Sequence, residues 1–348
     1  MKKVNIFIGL FVIVSVSALM MVNGCGSAAS SGGGGGASAV AVMYWGCNTT
    51  NKIYYISGSS TDISGTIELG CYSPFNIAAS PDGKKLYVST DLSKEVLVVD
   101  TASNTITGAF TLDAISRSYA MRVSNDGHYL FMGADNSSNE VYKIDVITGT
   151  VTYAAAGGQV KAIAISPDGL KFYKCNGTYV SACYTAYPFL LTGPLDEGLG
   201  TDTCMDMAVK DGKVYAPINS STGDRCMVID IATDAFTIIS AEGATALLGA
   251  VAIPGKNEVY VSSRLAIGKI YIINTSVPTF EAATITDANL FKPDYMAVTA
   301  DGTYVCVMDL ATTHAKIGFV NTNGRTVESY AIVPEFDLQA NNPVIIYK

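Results

Sequence analysis

The chain has 348 residues, of which 49% are hydrophobic and 15% are charged, and its formal net charge at pH 7 is −8. An acidic surface repels phosphate backbones, so no nucleic acid partner is expected. Long stretches rich in Val, Ile, Tyr and Thr favour β-strands over amphipathic helices, which predicts an all-β chain.

Residues 1–24 have the layout of a secretory signal peptide. Two lysines follow Met1, an apolar run extends from Val4 to Val22, and small or polar residues lead into Cys25. This junction resembles the lipobox of bacterial lipoproteins. The resemblance implies cleavage before Cys25 and attachment of lipid to Cys25. An uncut membrane anchor is the alternative, because about 20 apolar residues can span a bilayer.

Residues 25–38 join the predicted lipid anchor to the rest of the chain. They are almost entirely Gly, Ser and Ala, so they are predicted to form a flexible tether with a mean reach of about 20 Å. Either reading of the N-terminus locates the remaining residues outside the cytoplasm, in the cell envelope. Gly26 stands where many inner-membrane lipoproteins have Asp, and by that resemblance a diderm host would hold the protein at its outer membrane, on the periplasmic or the surface side.

Residues 39–348 are built from one repeated unit. Each unit has a short apolar strand, an Asp-Gly-type turn, a strand of the form apolar-Tyr-Val, and a strand ending in Asp or Asn. The turn recurs about every 42–46 residues, the size of a four-stranded propeller blade. The turns are Pro81-Asp82-Gly83, Asn125-Asp126-Gly127, Pro167-Asp168-Gly169, Asp211-Gly212, Pro254-Gly255-Lys256 and Asp301-Gly302.

The repeat resembles the YVTN family of β-propeller repeats, whose pattern runs strand, Pro-Asp-Gly, Tyr-Val-small and apolar-Asp-Thr-Ala-Thr. The best match extends from Ser80 to Thr107 and includes Leu86-Tyr87-Val88-Ser89. The resemblance covers nearly all of residues 39–348. It implies a β-propeller fold and specifies no chemistry.

The two ends of the repeat region predict how the ring closes. Six units are complete, while residues 39–69 supply only three strands and Pro343–Tyr347 supply one more. Pairing these ends gives a seventh blade with the C-terminal strand innermost, so a seven-bladed propeller is predicted, with six or eight blades as alternatives. The fourth unit is irregular because Tyr187-Pro188-Phe189 replaces its Thr-rich turn, which is interpreted as drift rather than function.

A candidate binding rim follows from aligning the innermost strands. The blade crossovers and the loops between second and third strands share one face around the central channel, so aligned residues gather there. The predicted rim residues are Phe75, Asn76, Tyr119, Arg122, Lys161, Asp206, Asp294 and Tyr295. Exposed aromatic rings beside a few polar groups are typical of a binding surface, although rings that pack between blades and solvated charges would give the same pattern.

Seven cysteines follow Cys25, in a compartment that permits disulfides. Connectivity cannot be read from a sequence, but the propeller register suggests three candidate pairs, with Cys306 buried and unpaired. The pairs are Cys47 with Cys71, Cys175 with Cys183, and Cys204 with Cys226. No Cys-x-x-Cys spacing occurs and the chain has only two histidines, so neither a metal site nor covalent haem is predicted.

No catalytic residues and no cofactor are predicted, since the sequence contains no nucleophile elbow and no phosphate loop. The expected function is a membrane-tethered, extracytoplasmic binding or scaffold propeller that presents one face to a protein or glycan. The alternatives are a lactonase-like propeller enzyme that uses Arg122, Asp206 and Asp294, and an accessory partner of an electron-transfer protein. Three or more convergent titratable groups in the channel would favour an enzyme, and an apolar plug would favour a scaffold.

Overall fold

The computed structural model describes residues 40–347 except 59, 71, 92, 115–116, 136–138, 177–178, 187–190, 196–202, 221–222, 224, 241–242, 245, 265–267, 310–315 and 333–342. The predicted signal peptide, Cys25 and the tether lie outside the described residues, as do Cys71 and Tyr187-Pro188-Phe189. The described part of the chain contains no helix that is long and apolar enough to cross a membrane.

The described residues form 28 β-strands. In chain order these are β1 (Ala41–Cys47), β2 (Lys52–Ser57), β3 (Gly65–Glu68), β4 (Pro74–Ala79), β5 (Lys85–Thr90), β6 (Glu95–Asp100), β7 (Thr105–Thr111), β8 (Arg117–Val123), β9 (Tyr129–Asp135), β10 (Glu140–Asp145), β11 (Val151–Ala155), β12 (Ala162–Ile165), β13 (Lys171–Cys175), β14 (Val180–Tyr184), β15 (Leu191–Pro194), β16 (Ala208–Lys210), β17 (Lys213–Ile218), β18 (Arg225–Asp230), β19 (Phe236–Ser240), β20 (Leu247–Ala252), β21 (Glu258–Ser263), β22 (Lys269–Asn274), β23 (Thr279–Thr286), β24 (Pro293–Val298), β25 (Tyr304–Asp309), β26 (Lys316–Asn321), β27 (Thr326–Ile332) and β28 (Val344–Tyr347).

The strands pair into seven four-stranded antiparallel sheets, which confirms the predicted seven-bladed propeller. Blades 2 to 7 each use four consecutive strands, from β4–β7 in blade 2 to β24–β27 in blade 7. Blade 1 has the order β28-β1-β2-β3, so the C-terminal strand is innermost, as predicted. The chain therefore closes the ring by pairing its two ends.

The closing strand is held by its pairing and by both neighbouring blades. Ile346 pairs with Val42 and is fully buried. The hydroxyl of Tyr347 accepts a hydrogen bond from the N–H of Ala300 in blade 7 at 3.0 Å. On the other side, the turn at Gly83 in blade 2 packs directly against the backbone of Tyr347. Blade 1 is thus joined to blades 2 and 7 through one short strand.

The core consists of layers between neighbouring blades. On β5, Leu86 and Val88 point into the layer shared with blade 1, while Tyr87 points into the layer shared with blade 3. Because both faces of a blade are covered, five consecutive residues of this strand are buried. This explains why the second strands read as continuous apolar runs rather than as an alternating pattern.

The Asp-Gly turns close the hairpins between first and second strands on the face opposite the predicted rim. Gly83 has a φ of 70°, a left-handed conformation that strongly favours glycine. In the equivalent turn of blade 4, the Ser166 hydroxyl donates to Asp168 Oδ1 at 2.5 Å, and the N–H of Leu170 donates to the same oxygen at 3.0 Å. These local bonds satisfy the turn without help from other blades.

Candidate functional site

The predicted rim residues come from the innermost strands of blades 2, 3 and 7 and from the segments just before the innermost strands of blades 4 and 5. The structure brings them into three neighbouring groups around the mouth of the central channel: an aromatic and cationic group, a cross-channel ion pair, and a buried carboxyl beside a tyrosine. These three groups are called the channel mouth below.

The aromatic and cationic group belongs to blades 2, 3 and 4. The rings of Phe75 and Tyr119 meet edge to face with centroids 5.2 Å apart. Lys161 Nζ lies 3.7 Å from the centroid of the Tyr119 ring, and the guanidinium carbon of Arg117 lies 5.8 Å from that of Phe75. Cations placed over ring faces are held by the ring quadrupole, so the group is an ordered surface.

Asn76 supports this group from beneath. It is buried, its side-chain amide donates to the Ser118 carbonyl at 3.3 Å, and its side-chain oxygen accepts the N–H of Ile77 at 2.8 Å. Asn76 therefore ties blade 2 to blade 3 just below the Phe75 and Tyr119 rings.

An ion pair crosses the channel from blade 3 to blade 5. Arg122 Nη2 donates to Asp206 Oδ1 at 2.6 Å. The N–H of Met207 donates to the same oxygen at 2.9 Å, and the N–H of Ala250 in blade 6 donates to Oδ2 at 3.1 Å. Burial raises the pKa of Asp206, against the opposing effect of Arg122. The Asp206 carboxyl thus joins three blades and has both oxygens occupied.

Asp294 in blade 7 is in a different state. Its side chain is buried, and Arg264 Nε lies 3.4 Å from Asp294 Oδ2. Among the described residues, Asp294 Oδ1 is buried without a hydrogen-bond partner. Burial raises the pKa of Asp294 to about 6, with Arg264 lowering it and Asp206 raising it. Asp294 therefore carries a buried acceptor and titrates close to neutral pH.

Tyr295 lies beside this carboxyl, half-buried at the channel mouth. Burial raises the pKa of its hydroxyl, and the nearby charges of Asp294 and Asp206 raise it further. Tyr295 therefore stays a neutral hydrogen-bond donor and acceptor throughout the physiological range.

The structure divides the predicted rim into supporting and accessible residues. Phe75, Asn76, Asp206 and Asp294 are buried, with relative exposures of 5%, 3%, 4% and 1%. Tyr119, Arg122, Lys161 and Tyr295 are half-buried and therefore reach solvent. The described residues of the channel mouth include two ion pairs, Arg122 with Asp206 and Arg264 with Asp294.

Two arginines of the channel mouth were not predicted. Arg117 begins β8 and forms an ion pair with Asp91, with Nε 2.5 Å from Oδ1. Arg264 follows β21, at the start of the loop between the second and third strands of blade 6. The sequence signal for Arg264 was available, because loops of that type were already assigned to the channel face.

Two of the predicted cysteine pairs, Cys175 with Cys183 and Cys204 with Cys226, are absent from the described structure, where all four are thiols. Cys183 points into the layer between blades 3 and 4, whereas Cys175 points into the layer between blades 4 and 5. Cys183 pairs with Phe172, which is three residues from Cys175. Because side chains alternate along a strand, the two cysteines lie on opposite faces of one blade.

The second predicted pair is divided between two layers, and the third extends beyond the described residues. Cys204 shares the layer of Cys175, but Cys226 points into the layer between blades 5 and 6. The pairing of Cys47 with Cys71 falls partly outside the described residues. Cys306 is buried, as expected. The described residues contain no group of three or more His, Cys, Asp or Glu side chains suited to a metal ion.

Solved structures share the fold of this chain. A functionally unknown protein from Desulfotomaculum acetoxidans DSM 771 matches with a TM-score of 0.70 at 15% identity, covering 89% of this chain and 99% of that chain. Hydrazine synthase from Kuenenia stuttgartiensis matches with a TM-score of 0.57 at 20% identity, covering 71% of this chain and 76% of that chain.

The dihydro-heme d1 dehydrogenase NirN, in complex with DHE, matches with a TM-score of 0.59 at 12% identity, covering 88% of this chain and 74% of that chain. No family model and no curated protein sequence matches the chain. At such low identities, these likenesses show the β-propeller fold alone.

Proposed function

We propose that the protein is a binding propeller, tethered through Cys25 outside the cytoplasm, that holds a protein or glycan partner at its channel mouth. The observation that carries the proposal is the ordered aromatic and cationic group, in which Lys161 lies over the Tyr119 ring. Aromatic rings with nearby charged groups are the residues that dominate binding energy at interfaces.

The electrostatics of the channel mouth support the same proposal. In a chain of net charge −8, the channel mouth contains four cations, Arg117, Arg122, Lys161 and Arg264. Three of them form ion pairs there, with Asp91, Asp206 and Asp294. Tyr119, Lys161 and Tyr295 are half-buried there, so an aromatic face, a cation and a hydroxyl can contact a partner. A partner that offers a hydroxyl or amide donor beside an apolar or acidic group fits this surface.

The test is a crosslinking pull-down from intact cells with the full chain and its tether. The variant Tyr119→Ala/Lys161→Ala should lose the partner that the wild type retains. The matched control Tyr153→Ala/Lys84→Ala removes an exposed tyrosine and an exposed lysine away from the channel mouth, and it should retain the partner. Equal recovery by both double variants would contradict the proposal.

A lactonase-like enzyme is the second candidate, and Asp294 is the observation that favours it. A carboxyl with a pKa of about 6 beside Tyr295 is suited to general acid or base work near neutral pH. Asp206 is poorly suited to such work because both of its oxygens are already bonded. A lactone panel in which the wild type turns over and Asp294→Asn does not would favour the enzyme over the binding module.

A further inference from the structure

Two cysteines of different blades face the same buried layer. Cys175 is the last residue of β13 in blade 4, and Cys204 lies in the crossover between β15 and β16, at the entry to blade 5. Both side chains have relative exposures of 0%. They pack in the same cluster, together with Val180 and Met207.

The two sulfur atoms are neighbours within that layer. Cys175 lies within hydrogen-bonding reach of Cys204, and the burial of Cys204 together with this contact raises the pKa of its thiol. The Cys204 thiol also contacts the carbonyl of Asp206 at 3.2 Å. The two sulfurs are therefore adjacent across the interface between blades 4 and 5.

The remaining described cysteines do not share this arrangement. Cys183 and Cys226 face the layers on the far sides of blades 4 and 5. Cys47 and Cys306 share the layer between blades 7 and 1, but burial is the sole cause that raises the pKa of Cys306, to about 12. Cys306 therefore provides a comparison in another layer, because its pKa is raised by burial alone.

We propose that Cys175 and Cys204 form a disulfide when the protein folds under oxidising conditions. The two thiols lose two protons and two electrons to a disulfide oxidant such as glutathione disulfide, which is reduced to two glutathione thiols. In the cell, formation of this bond requires an oxidising compartment, so it depends on the proposed location outside the cytoplasm.

The disulfide would connect blade 4 to the channel mouth. Cys204 lies two residues before Asp206, whose carboxyl joins blades 3, 5 and 6. The bond also closes the segment from residue 176 to residue 203, which contains the crossover between blades 4 and 5. It therefore fixes the entry to blade 5, whose first strand, β16, has only three residues.

The experiment refolds the full chain from denaturant in a glutathione redox buffer, so that buried thiols are accessible before the fold closes. Non-reducing proteolysis and mass spectrometry should then recover a linked peptide that contains Cys175 and Cys204. The oxidised protein should melt about 5 °C above the reduced protein, because the bond restricts the unfolded chain. Cys175→Ala and Cys175→Ser should abolish that difference, and Cys306→Ser should retain it.

Recovery of Cys204 linked to Cys226, or of both target cysteines as thiols, would overturn the proposal. The peptide map of the wild type decides this even where a cysteine variant fails to fold. Alkylation of thiols in acid-quenched cells provides a separate readout. If the pair oxidises on refolding but is reduced in cells, the pairing stands and the proposed extracytoplasmic location fails.

Discussion

Aspartates at the two ends of the propeller have pKa values that are shifted in opposite directions. At the end with the Asp-Gly turns, the Ser166 hydroxyl and the N–H of Leu170 hold the pKa of Asp168 below its usual value. Asp82, Asp126 and Asp301 also have lowered pKa values, because hydrogen bonds from Ser or Thr outweigh the effect of partial burial. At the channel mouth, burial raises the pKa of Asp206 and Asp294.

This difference separates aspartates whose charge stabilises the folded state from aspartates whose charge destabilises it. A turn aspartate is surrounded by local donors two residues away, so its charged form is satisfied. Burial disfavours the charged form of Asp294. Only one arginine, at 3.4 Å, offsets this effect, and one carboxyl oxygen has no partner in the described structure. Buried groups of that kind are candidates for function, although ion-pair networks in the fold can also produce them.

Removal of residues 343–348 should have the largest effect on stability, because β28 closes the ring of blades. Both ends of the propeller depend on that closed ring. The truncation deletes β28, exposes the inner edge of β1 and removes the contact between Tyr347 and Ala300. We expect cooperative thermal unfolding to be lost, as followed by circular dichroism. A truncated chain that melts like the full chain would show that closure does not depend on this strand.

Asp206→Ala should destabilise the protein by about 3 kcal/mol, since it breaks a buried ion pair and leaves the N–H of Ala250 without its acceptor. Arg122 is partly exposed and can regain some hydration in the variant. The expected loss of stability is therefore at the lower end of the range for broken buried ion pairs. Denaturant unfolding measures the effect. Asp206→Asn keeps one acceptor and should cost less; equal losses would mean that the retained acceptor contributes nothing to stability.

Asp294→Asn should stabilise the protein at pH 7.5 by about 1–3 kcal/mol, by removing a buried charge whose pKa is raised. Between about pH 4 and pH 6, folded Asp294 retains a proton that the unfolded chain releases, so its contribution to the unfolding free energy falls as pH rises.

The variant should therefore lose this pH dependence. The measurement is the difference in unfolding free energy between Asp294→Asn and wild type from pH 4 to pH 8. Arg264→Gln serves as the matched control. It removes the cation that lowers the pKa of Asp294 and should extend the loss of stability to higher pH. A flat difference curve for Asp294→Asn would contradict the raised pKa.

Asp168→Ala should have the smallest effect, a loss of about 1 kcal/mol from two local hydrogen bonds at an exposed turn. The lowered pKa of Asp168 gives the opposite sign from Asp294, because its contribution is present above the unfolded pKa and disappears as pH falls below about 4. Thermal melts should show a smaller gap between the variant and wild type at pH 3 than at pH 7. A constant gap would remove the contrast between the two ends.

Much of the fold was predictable because its determinants are local and repeated. The turn around Asp82 and Gly83 specifies its own geometry, and the spacing between such turns sets the blade size. The same register placed Phe75, Tyr119, Lys161 and Asp294 at one level of the channel. The ends of the repeat region also predicted that β28 would pair innermost with β1.

The tertiary structure decided which side chains meet across blades. Cys175 and Cys183 are close along the chain but face different layers, whereas Cys175 and Cys204 meet because neighbouring blades stack. Arg122 reaches Asp206 across the channel although 84 residues separate them.

The sequence by itself therefore determined the repeat, the number of blades, the closing strand and the face where the candidate site lies. Only the tertiary structure determined which cysteines face the same layer, the partners of each carboxyl and which rim residues reach solvent. The physical reason is that turns and strand pairing depend on residues near in sequence or on a fixed period. Desolvation and contact across the channel depend on how seven blades pack together.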